Sequence, residues 1–347
     1  MARRSTKAHV TIKDVAEAAG VSPMTVSRAL RNVSFVTEET RLRIQQAVDQ
    51  LGYVPNKAAG SLSSRKSGFV AMLLPSLNNQ HLAETVHILT LELEKADKQL
   101  LLGYTDYLPD KEEELIETML RHRPEALILC YDGHSQEARR RLDKVTIPVI
   151  ELWETPDDAV QHTVGFSNFK AAYDMTRALL AKGYQRVAFL GEVNDEGSRA
   201  GARREGFTAA MQDAGLSAHR VTHTATMPIS LEAAADTCNR LLDAFPDTDC
   251  IFCVSDPAAF GAMSALVERG VTIPDQIGLA GFGNFEISRF THPPIATVGV
   301  DPVLIGKKAA ELLLRILDQD GVGSSQVTEH IRLTPELMIR GSVTQCD

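Results

Sequence analysis

The sequence predicts an all-α head of three short helices followed by an α/β body of two lobes, each built on a doubly wound parallel sheet. Three observations support this prediction. Helix cap and turn signals fill the first 56 residues, apolar strands alternate with amphipathic helices from residue 68, and this alternation restarts after about residue 166. Strands that alternate with helices are typical of parallel sheets, so the restart indicates two lobes.

The composition indicates an ordinary globular protein. The chain has 347 residues, 44% of them hydrophobic, which is enough for two or three folded units. No apolar stretch approaches the roughly 20 residues of a membrane helix, and the basic start leads into a polar helix. We therefore expect a cytoplasmic protein with no membrane partner. The five cysteines, odd in number and mostly in apolar runs, are expected to be reduced thiols.

The net charge of −9 hides a strong asymmetry between the two ends. Residues 1–66 hold 11 Lys or Arg and 5 acids, a charge of +6, whereas the remaining residues hold 25 bases and 40 acids, a charge of −15. Phosphate binding depends on Lys and Arg, which release counterions from DNA. A basic head on an acidic body is therefore the pattern of a protein that touches DNA with one end.

The head contains the start and stop signals of three helices. They predict helices that begin after the cap residue Thr11, run from Pro23 to about Leu30, and run from Thr37 to a stop at Gly52. Gly20 permits a sharp turn between the first two, which gives helix-turn-helix geometry. In that geometry the exposed side of the second helix presents Met24, Thr25 and Arg28 to bases or phosphates. The alternative is a small helical subdomain that binds no DNA.

The run from Thr11 to Asn56 resembles the head of the LacI family, and the likeness extends over nearly the whole chain. The resemblance rests on the Asp-Val-Ala-x-x-Ala-Gly-Val-Ser stretch from Asp14, on Thr25-Val-Ser-Arg28 and on Gly52-Tyr-x-Pro-Asn56. It implies a transcription repressor that binds a pseudo-palindromic operator in double-stranded DNA as a homodimer. The candidate DNA-contacting residues are then Thr11, Ser22, Met24, Thr25, Ser27, Arg28, Tyr53, Asn56 and Leu62.

Residues 57–65 are weak helix formers, since they contain Gly60 and several serines. In the LacI family this segment is a hinge helix that folds on DNA and inserts a leucine into the minor groove, and Leu62 stands at the matching position. A plain flexible linker is the alternative.

The body resembles periplasmic sugar-binding proteins, in which the ligand lies between two lobes near the carboxyl ends of the strands. The resemblance implies that Arg203 grips the effector, and a guanidinium can hold an anionic group in a fork. The candidate effector-binding residues are Ser76, Asn79, Glu151, Phe166, Arg203, Asp256 and Asn284. Each loop polar could instead cap a helix or strand end, and Asp256-Pro257 in particular could begin a helix.

A closer resemblance favours a sugar acid as the effector, and one departure from the family pattern indicates a sugar class other than hexopyranosides. The stretches from Pro75 to Gln80, Ile147 to Leu152 and Val164 to Ala172 resemble gluconate-operon repressors of the family. The family often carries an Asp in a Gly-Phe/Tyr-Asp-Asp stretch to bind hydroxyls, whereas this chain has Gly281-Phe282-Gly283-Asn284. We expect gluconate, a ketogluconate or a phosphogluconate, as inducer or corepressor, and a neutral sugar or a nucleobase is the alternative.

Competing functional classes lack their signatures. No catalytic constellation, phosphate loop or dinucleotide motif occurs, so we expect no enzyme and no cofactor, against the alternative of a sugar-metabolising α/β enzyme. Cys250 and Cys253 lie in an apolar run without a second pair, and the histidines are scattered, so we expect no metal. The predicted domains are a head (1–56), a hinge (57–67), an N-terminal lobe (68–166 and 299–327) and a C-terminal lobe (167–298 and 328–347).

Overall fold

The computed structural model describes residues 10–30, 36–54, 67–192, 197–224, 229–319 and 327–343. The chain divides into two compact units, residues 1–67 and 68–347. The first unit is the predicted helical head, and the second is the predicted α/β body.

The head contains three helices: α1 (Ile12–Ala19), α2 (Pro23–Leu30) and α3 (Glu38–Leu51). The Asp14 carboxylate accepts hydrogen bonds from the backbone N–H and the hydroxyl of Thr11, at 2.6 and 2.8 Å, which fixes the start of α1. Gly20 and Gly52 end α1 and α3 with φ of 64° and 63°, a left-handed conformation that glycine adopts without strain. The helix bounds predicted from caps and turns are confirmed.

The core of the head is small. Its fully or almost fully buried side chains are Val15, Ala16, Ala19, Val26, Ala29, Ile44 and Ala47. Because only three of these are larger than alanine, each of them contributes a large share of the apolar burial.

The first lobe of the body contains β1 (Phe69–Leu74), α4 (Gln80–Glu94), β2 (Gln99–Tyr104), α5 (Pro109–Arg121), β3 (Leu127–Cys130), α6 (Gln136–Leu142), β4 (Val149–Leu152) and β5 (His162–Gly165). Its strands are largely apolar and buried, as expected for a parallel sheet with helices on both faces. The three strands that the apolar runs predict in this lobe, at 69–74, 126–130 and 149–152, are present as β1, β3 and β4, and so is the helix that carries Leu82, Val86, Leu89 and Leu93 on its buried stripe.

The second lobe contains α7 (Asn168–Ala181), β6 (Val187–Gly191), α8 (Arg199–Asp213), β7 (Val221–His223), α9 (Leu231–Ala244), β8 (Cys250–Cys253), α10 (Asp256–Glu268), β9 (Gly278–Gly283), α11 (Ile287–Phe290) and β10 (Ala296–Gly299). The sequence pattern predicts a helix over 203–214, so that α8 would begin at Arg203. It begins one turn earlier because the Ser198 side chain accepts a hydrogen bond from the N–H of Gly201 and caps the helix. Arg203 therefore lies inside α8 and not at its entrance.

The chain crosses between the lobes three times. After the first crossover into α7, it returns with α12 (Pro302–Gln319) and β11 (His330–Arg332) and crosses again to β12 (Glu336–Met338). The strand orders are β11-β5-β4-β3-β1-β2 and β12-β10-β9-β8-β6-β7, and all described pairings are parallel except β10 with β12. The prediction that residues 328–347 belong to the second lobe is wrong for β11, which pairs with β5. The last crossover thus occupies residues 333–335.

Among the described helices, none combines the length and apolar character that a bilayer span requires. Cys130, Cys238, Cys250 and Cys253 are unpaired and buried, so the expectation of core thiols is confirmed for these four.

Removing three of the four side-chain carbons of Ile44 should destabilise the head selectively. Ile44 is 1% exposed in a core of seven buried residues. Ile44→Ala should lower the free energy of unfolding of the head by about 2–4 kcal/mol. Calorimetry should show an early head transition with an unchanged body transition. Leu42→Ala is the matched control, because Leu42 is 58% exposed on the same helix. Equal effects of the two substitutions would contradict this account of the core.

Candidate functional site

A cavity of about 210 Å³ lies between the two lobes of the body. It is formed by loops at the carboxyl ends of β1, β2 and β3 in the first lobe and of β6, β7, β8 and β9 in the second, together with the start of α8. The lining residues are Ser76, Asn78, Asn79, Tyr107, Asp132, Glu192, Arg199, Ala200, Arg203, Ile229, Ser255, Pro257 and Phe285. This is the edge where the ligand of such sheets is expected.

Arg203 is held rigidly at this cavity. Its Nε donates to Asn168 Oδ1 and its Nη1 donates to the carbonyl of Val254, both at 2.8 Å. The guanidinium carbon lies 3.9 Å from the ring centroid of Phe282, a cation–π contact. Burial, and next the positive charge of Arg199, lower the pKa of Arg203 to about 10, so it stays cationic at neutral pH. The orientation of this charge is therefore fixed before any ligand binds.

Asn168 connects Arg203 to the other lobe. It is fully buried at the first position of α7, and its Nδ2 donates to Glu154 Oε2 and to the carbonyl of Trp153, both at 2.9 Å. Its backbone N–H also donates to Glu154 Oε2, at 3.1 Å. Glu154 follows β4 in the first lobe. A continuous chain of hydrogen bonds thus joins the first lobe to Arg203 through the first crossover.

A second contact between the lobes is an ion pair inside the cavity. Arg199, the first residue of α8, donates from Nε to Asp132 Oδ1 at 3.2 Å. Asp132 follows β3 in the first lobe. Burial by itself lowers the pKa of Arg199, but the charge of Asp132 and the hydrogen bond to it outweigh burial and raise that pKa.

Three of the predicted effector-binding residues line this cavity: Ser76, Asn79 and Arg203. Asn79 also caps α4, since its Oδ1 accepts from the N–H groups of His81 and Leu82 at 3.0 and 3.3 Å. Ser76 Oγ accepts from the N–H of Asn78 at 3.0 Å. A local structural role, a helix cap at Asn79 and a turn bond at Ser76, therefore coincides with cavity lining at these two positions.

Glu151 lies in β4, away from the cavity and fully buried. Its carboxylate accepts from His134 Nε2 at 3.1 Å and from the N–H of Val160 at 2.6 Å. The other ring nitrogen of His134 bonds Glu112 Oε1 at 2.9 Å. Burial by itself lowers the pKa of His134, but these two glutamates outweigh it and raise the pKa to about 9. Glu151 is thus one half of a buried clamp on a charged histidine.

Asp256 is also fully buried and does not line the cavity. Its carboxylate accepts from the N–H of Phe285 at 2.7 Å and from Thr297 Oγ1 at 2.6 Å. Ser255, one residue earlier, caps α10 and faces the cavity. Asp256 therefore holds the loop after β9, and through it places Phe285.

Phe166 and Asn284 line a different cavity of about 680 Å³ beside the crossover strands. Asn284 accepts from Arg340 Nη2 at 2.6 Å. At Gly283, with φ of 125°, a Cβ would lie 2.5 Å from the Phe285 ring. A side chain at position 283 would therefore clash with this ring. Positions 283 and 284 are those at which the family often carries aspartates, so the Phe285 ring fills space near them.

Sequence reasoning missed Tyr107, Asp132, Glu192 and Arg199. Asp132 could have been found, because it follows the predicted strand that ends at Cys130. Arg199 was missed because the start of α8 was placed one turn late. Tyr107 follows β2, which was not predicted and which is less buried than the neighbouring strands.

The described DNA-contacting candidates lie before α1, at and in α2, and after α3. Met24 and Arg28 are exposed on α2, and Thr25 and Ser27 are half-buried beside them. Ser22 Oγ accepts from the N–H of Thr25 at 3.1 Å, and Thr11 precedes α1. Tyr53 packs against the head core. Asn56 and Leu62 lie outside the described residues.

Comparison with known proteins gives two family matches. Residues 11–56 match "Bacterial regulatory proteins, lacI family", and residues 67–337 match "Periplasmic binding proteins and sugar binding domain of LacI family". The chain is 33% identical to the HTH-type transcriptional regulator GntR of Escherichia coli K12 over 329 residues, 95% of this chain and 98% of that protein.

Two solved structures from Silicibacter pomeroyi are also similar. One, a LacI family transcriptional regulator, is 50% identical with a TM-score of 0.75 and covers 79% of this chain and 98% of its own. The other, a LacI family protein, is 36% identical with a TM-score of 0.87 and covers 97% of this chain and 100% of its own. All three relatives are described as transcriptional regulators.

The clamp on His134 should make the stability of the body depend on pH. The pKa of His134 is about 9 in the folded protein, above its ordinary value of 6.5. The stabilisation that the clamp gives to the folded body is therefore complete below pH 6.5 and is lost as the pH rises through 9. Between these values, the free energy of unfolding of the wild type should fall by about 3 kcal/mol more than that of His134→Gln. Denaturant titrations across this range measure the difference. Exposed His122→Gln should follow the wild type, and parallel curves for His134→Gln would refute the clamp.

Proposed function

Because the chain belongs to the lacI family of bacterial regulatory proteins, we propose that this DNA-binding transcription repressor is controlled by a small sugar acid bound in the 210 Å³ cavity between its lobes. Family membership confirms the prediction of a DNA-binding regulator and not an enzyme. The identity of the effector is the proposed part.

One observation carries the proposal: two guanidinium groups, those of the buried Arg199 and the partly buried Arg203, line the same small cavity. Guanidinium groups bind carboxylates and phosphates more strongly than they bind neutral hydroxyls. The resemblance to gluconate-operon repressors and the relative named GntR support the same class of ligand.

The rest of the cavity suits a short polyhydroxylated chain. Ser76, Asn78 and Ser255 offer hydroxyl and amide groups, which pair with sugar hydroxyls, and Phe285 and Ile229 supply apolar surface. The volume lies below the roughly 300–1,000 Å³ of sites for drug-sized ligands, which fits a small metabolite.

The larger cavity beside the crossovers suits an acid less well. Its lining includes Glu84, Glu286, Asp301 and Glu336 with one arginine, Arg289. His81 also lines it, but burial lowers the pKa of His81 to about 4, so this ring is neutral at physiological pH. An anion would meet predominantly negative charge there.

The proposed mechanism is thermodynamic linkage. Two copies of the chain bind a pseudo-palindromic operator, and α2 of each head enters the major groove with Met24, Thr25 and Arg28. The effector bridges two lobes, so it binds some lobe orientations more tightly than others and thereby shifts operator affinity. A change from mostly bound to mostly free needs roughly 5 kcal/mol of differential effector binding.

Arg28→Ala should weaken operator binding. Loss of one base or phosphate contact costs about 1–3 kcal/mol, and loss of a phosphate contact also reduces the salt slope by about one. Fluorescence anisotropy on an operator selected from random duplexes, repeated at several salt concentrations, measures both quantities. Arg43→Ala on α3 removes the same charge from an exposed position and is the control. Unchanged affinity for Arg28→Ala would remove this residue from the interface.

A ligand panel tests the effector class. Gluconate, 2-ketogluconate or 6-phosphogluconate should shift operator affinity by tenfold or more, and the sign of the shift separates inducer from corepressor. Glucitol and hypoxanthine represent a neutral polyol and a nucleobase. A response to one of these, with none to the three acids, would overturn the sugar-acid proposal and leave the repressor intact.

A further inference from the structure

Arg199 and Asp132 meet at the point where the two lobes touch. Besides the bond from Nε, the backbone N–H of Arg199 faces Asp132 Oδ1 at 3.4 Å. The adjoining loops are in contact, because a Cβ on Gly133 would lie 2.8 Å from the carbonyl oxygen of Gly197. The ion pair therefore spans the lobes beside the cavity, where these two loops touch.

Both members of this pair also face the cavity. Arg199 and Asp132 line it together with Arg203, and their side chains retain 10% and 21% exposure. A cavity ligand can therefore reach the guanidinium of Arg199 and the carboxylate that now holds it.

The two arginines differ in how their donors are used. Arg203 directs Nε and Nη1 to neutral oxygens of Asn168 and Val254. Arg199 directs Nε to a carboxylate, and no neutral acceptor for its guanidinium is recorded among the described contacts. The partner of Arg199 is thus a carboxylate, the same chemical group that a sugar acid carries, whereas the partners of Arg203 are neutral.

The electrostatics of the cavity agree with this division. The charge of Arg199 helps to lower the pKa of Arg203, so the two cations are close enough to repel each other. An anion that contacts Arg199 from the cavity side reduces this repulsion as well.

We propose that Arg199 selects acids over neutral sugars and that Asp132 is its built-in competitor: the effector carboxylate takes the place of Asp132 on Arg199 and thereby breaks the ion pair between the lobes. This inference rests on the proposed sugar-acid function. It assigns the recognition of charge to Arg199 and the link between recognition and lobe orientation to Asp132. Arg203, with fixed geometry, then orients the polyol chain.

The experiment measures binding of gluconate and of gluconamide to the full-length protein by calorimetry. Gluconamide keeps every hydroxyl and removes only the charge. The variants are Arg199→Gln, Asp132→Asn and the double variant. Arg140→Gln and Asp158→Asn are matched controls on exposed ion pairs of the first lobe.

Arg199→Gln should raise the Kd of gluconate by about 10- to 100-fold and change that of gluconamide by less than about threefold. Asp132→Asn should lower the Kd of gluconate by about three- to tenfold, because the competitor has lost its charge. In the Arg199→Gln background, Asp132→Asn should no longer tighten gluconate, since the competition is for Arg199. The controls should bind both ligands like the wild type.

Three results would overturn this inference but leave the proposed function standing. Arg199→Gln could weaken the binding of gluconate and of gluconamide equally, or Asp132→Asn could weaken the binding of gluconate. Asp132→Asn could also tighten gluconate binding by the same factor in the wild type and in Arg199→Gln. The first result would mean that Arg199 only shapes the cavity. The last would mean that the Asp132 charge repels the ligand at a distance and does not compete with it for Arg199. If the wild type binds no sugar acid, the proposed function fails and the inference fails with it.

Discussion

The burial of one positive charge, that of Arg203, organises the centre of the body. A buried guanidinium is costly unless hydrogen-bond acceptors and polarisable groups surround it. The chain supplies Asn168, the carbonyl of Val254 and the ring of Phe282. Asn168 is itself fixed by Glu154 from the other lobe. The start of α7, the ends of β4 and β8, and the middle of β9 are therefore constrained by a single side chain.

These constraints place the cavity where two rigid lobes meet. The Glu154–Asn168–Arg203 chain and the Asp132–Arg199 ion pair both connect first-lobe loops to second-lobe helices. They differ in kind: the first runs through the fully buried amide of Asn168, whereas the second is an ion pair whose two members both line the cavity. A fixed connection and an exchangeable one, side by side, are what a ligand-controlled hinge needs, because the ligand must bind two lobe orientations unequally.

The polar residues after the strands show the limit of sequence reasoning. Glu151 and Asp256 were placed among the effector contacts, yet the structure buries both. Glu151 instead holds His134, and Asp256 holds the loop that carries Phe285. Next to Asp256, Ser255 faces the cavity, whereas Asp256 itself turns inward. A carboxylate near a strand end can serve a ligand or a buried donor, and the choice depends on partners far along the chain.

The sequence by itself determined the features that depend on local physics. Caps, glycine turns and apolar periodicity specified the head helices and the alternating strands and helices, because these signals act within a few residues. Arg203 was identified as a cavity residue through the resemblance to the LacI family. Tertiary structure alone decided that β11 joins the first sheet, that Glu151 and Asp256 are internal, and that Arg199 meets Asp132. Those outcomes arise from contacts between residues that are far apart in the sequence. Asp132 and Arg199, for example, are separated by 67 residues, and no local pattern encodes their contact.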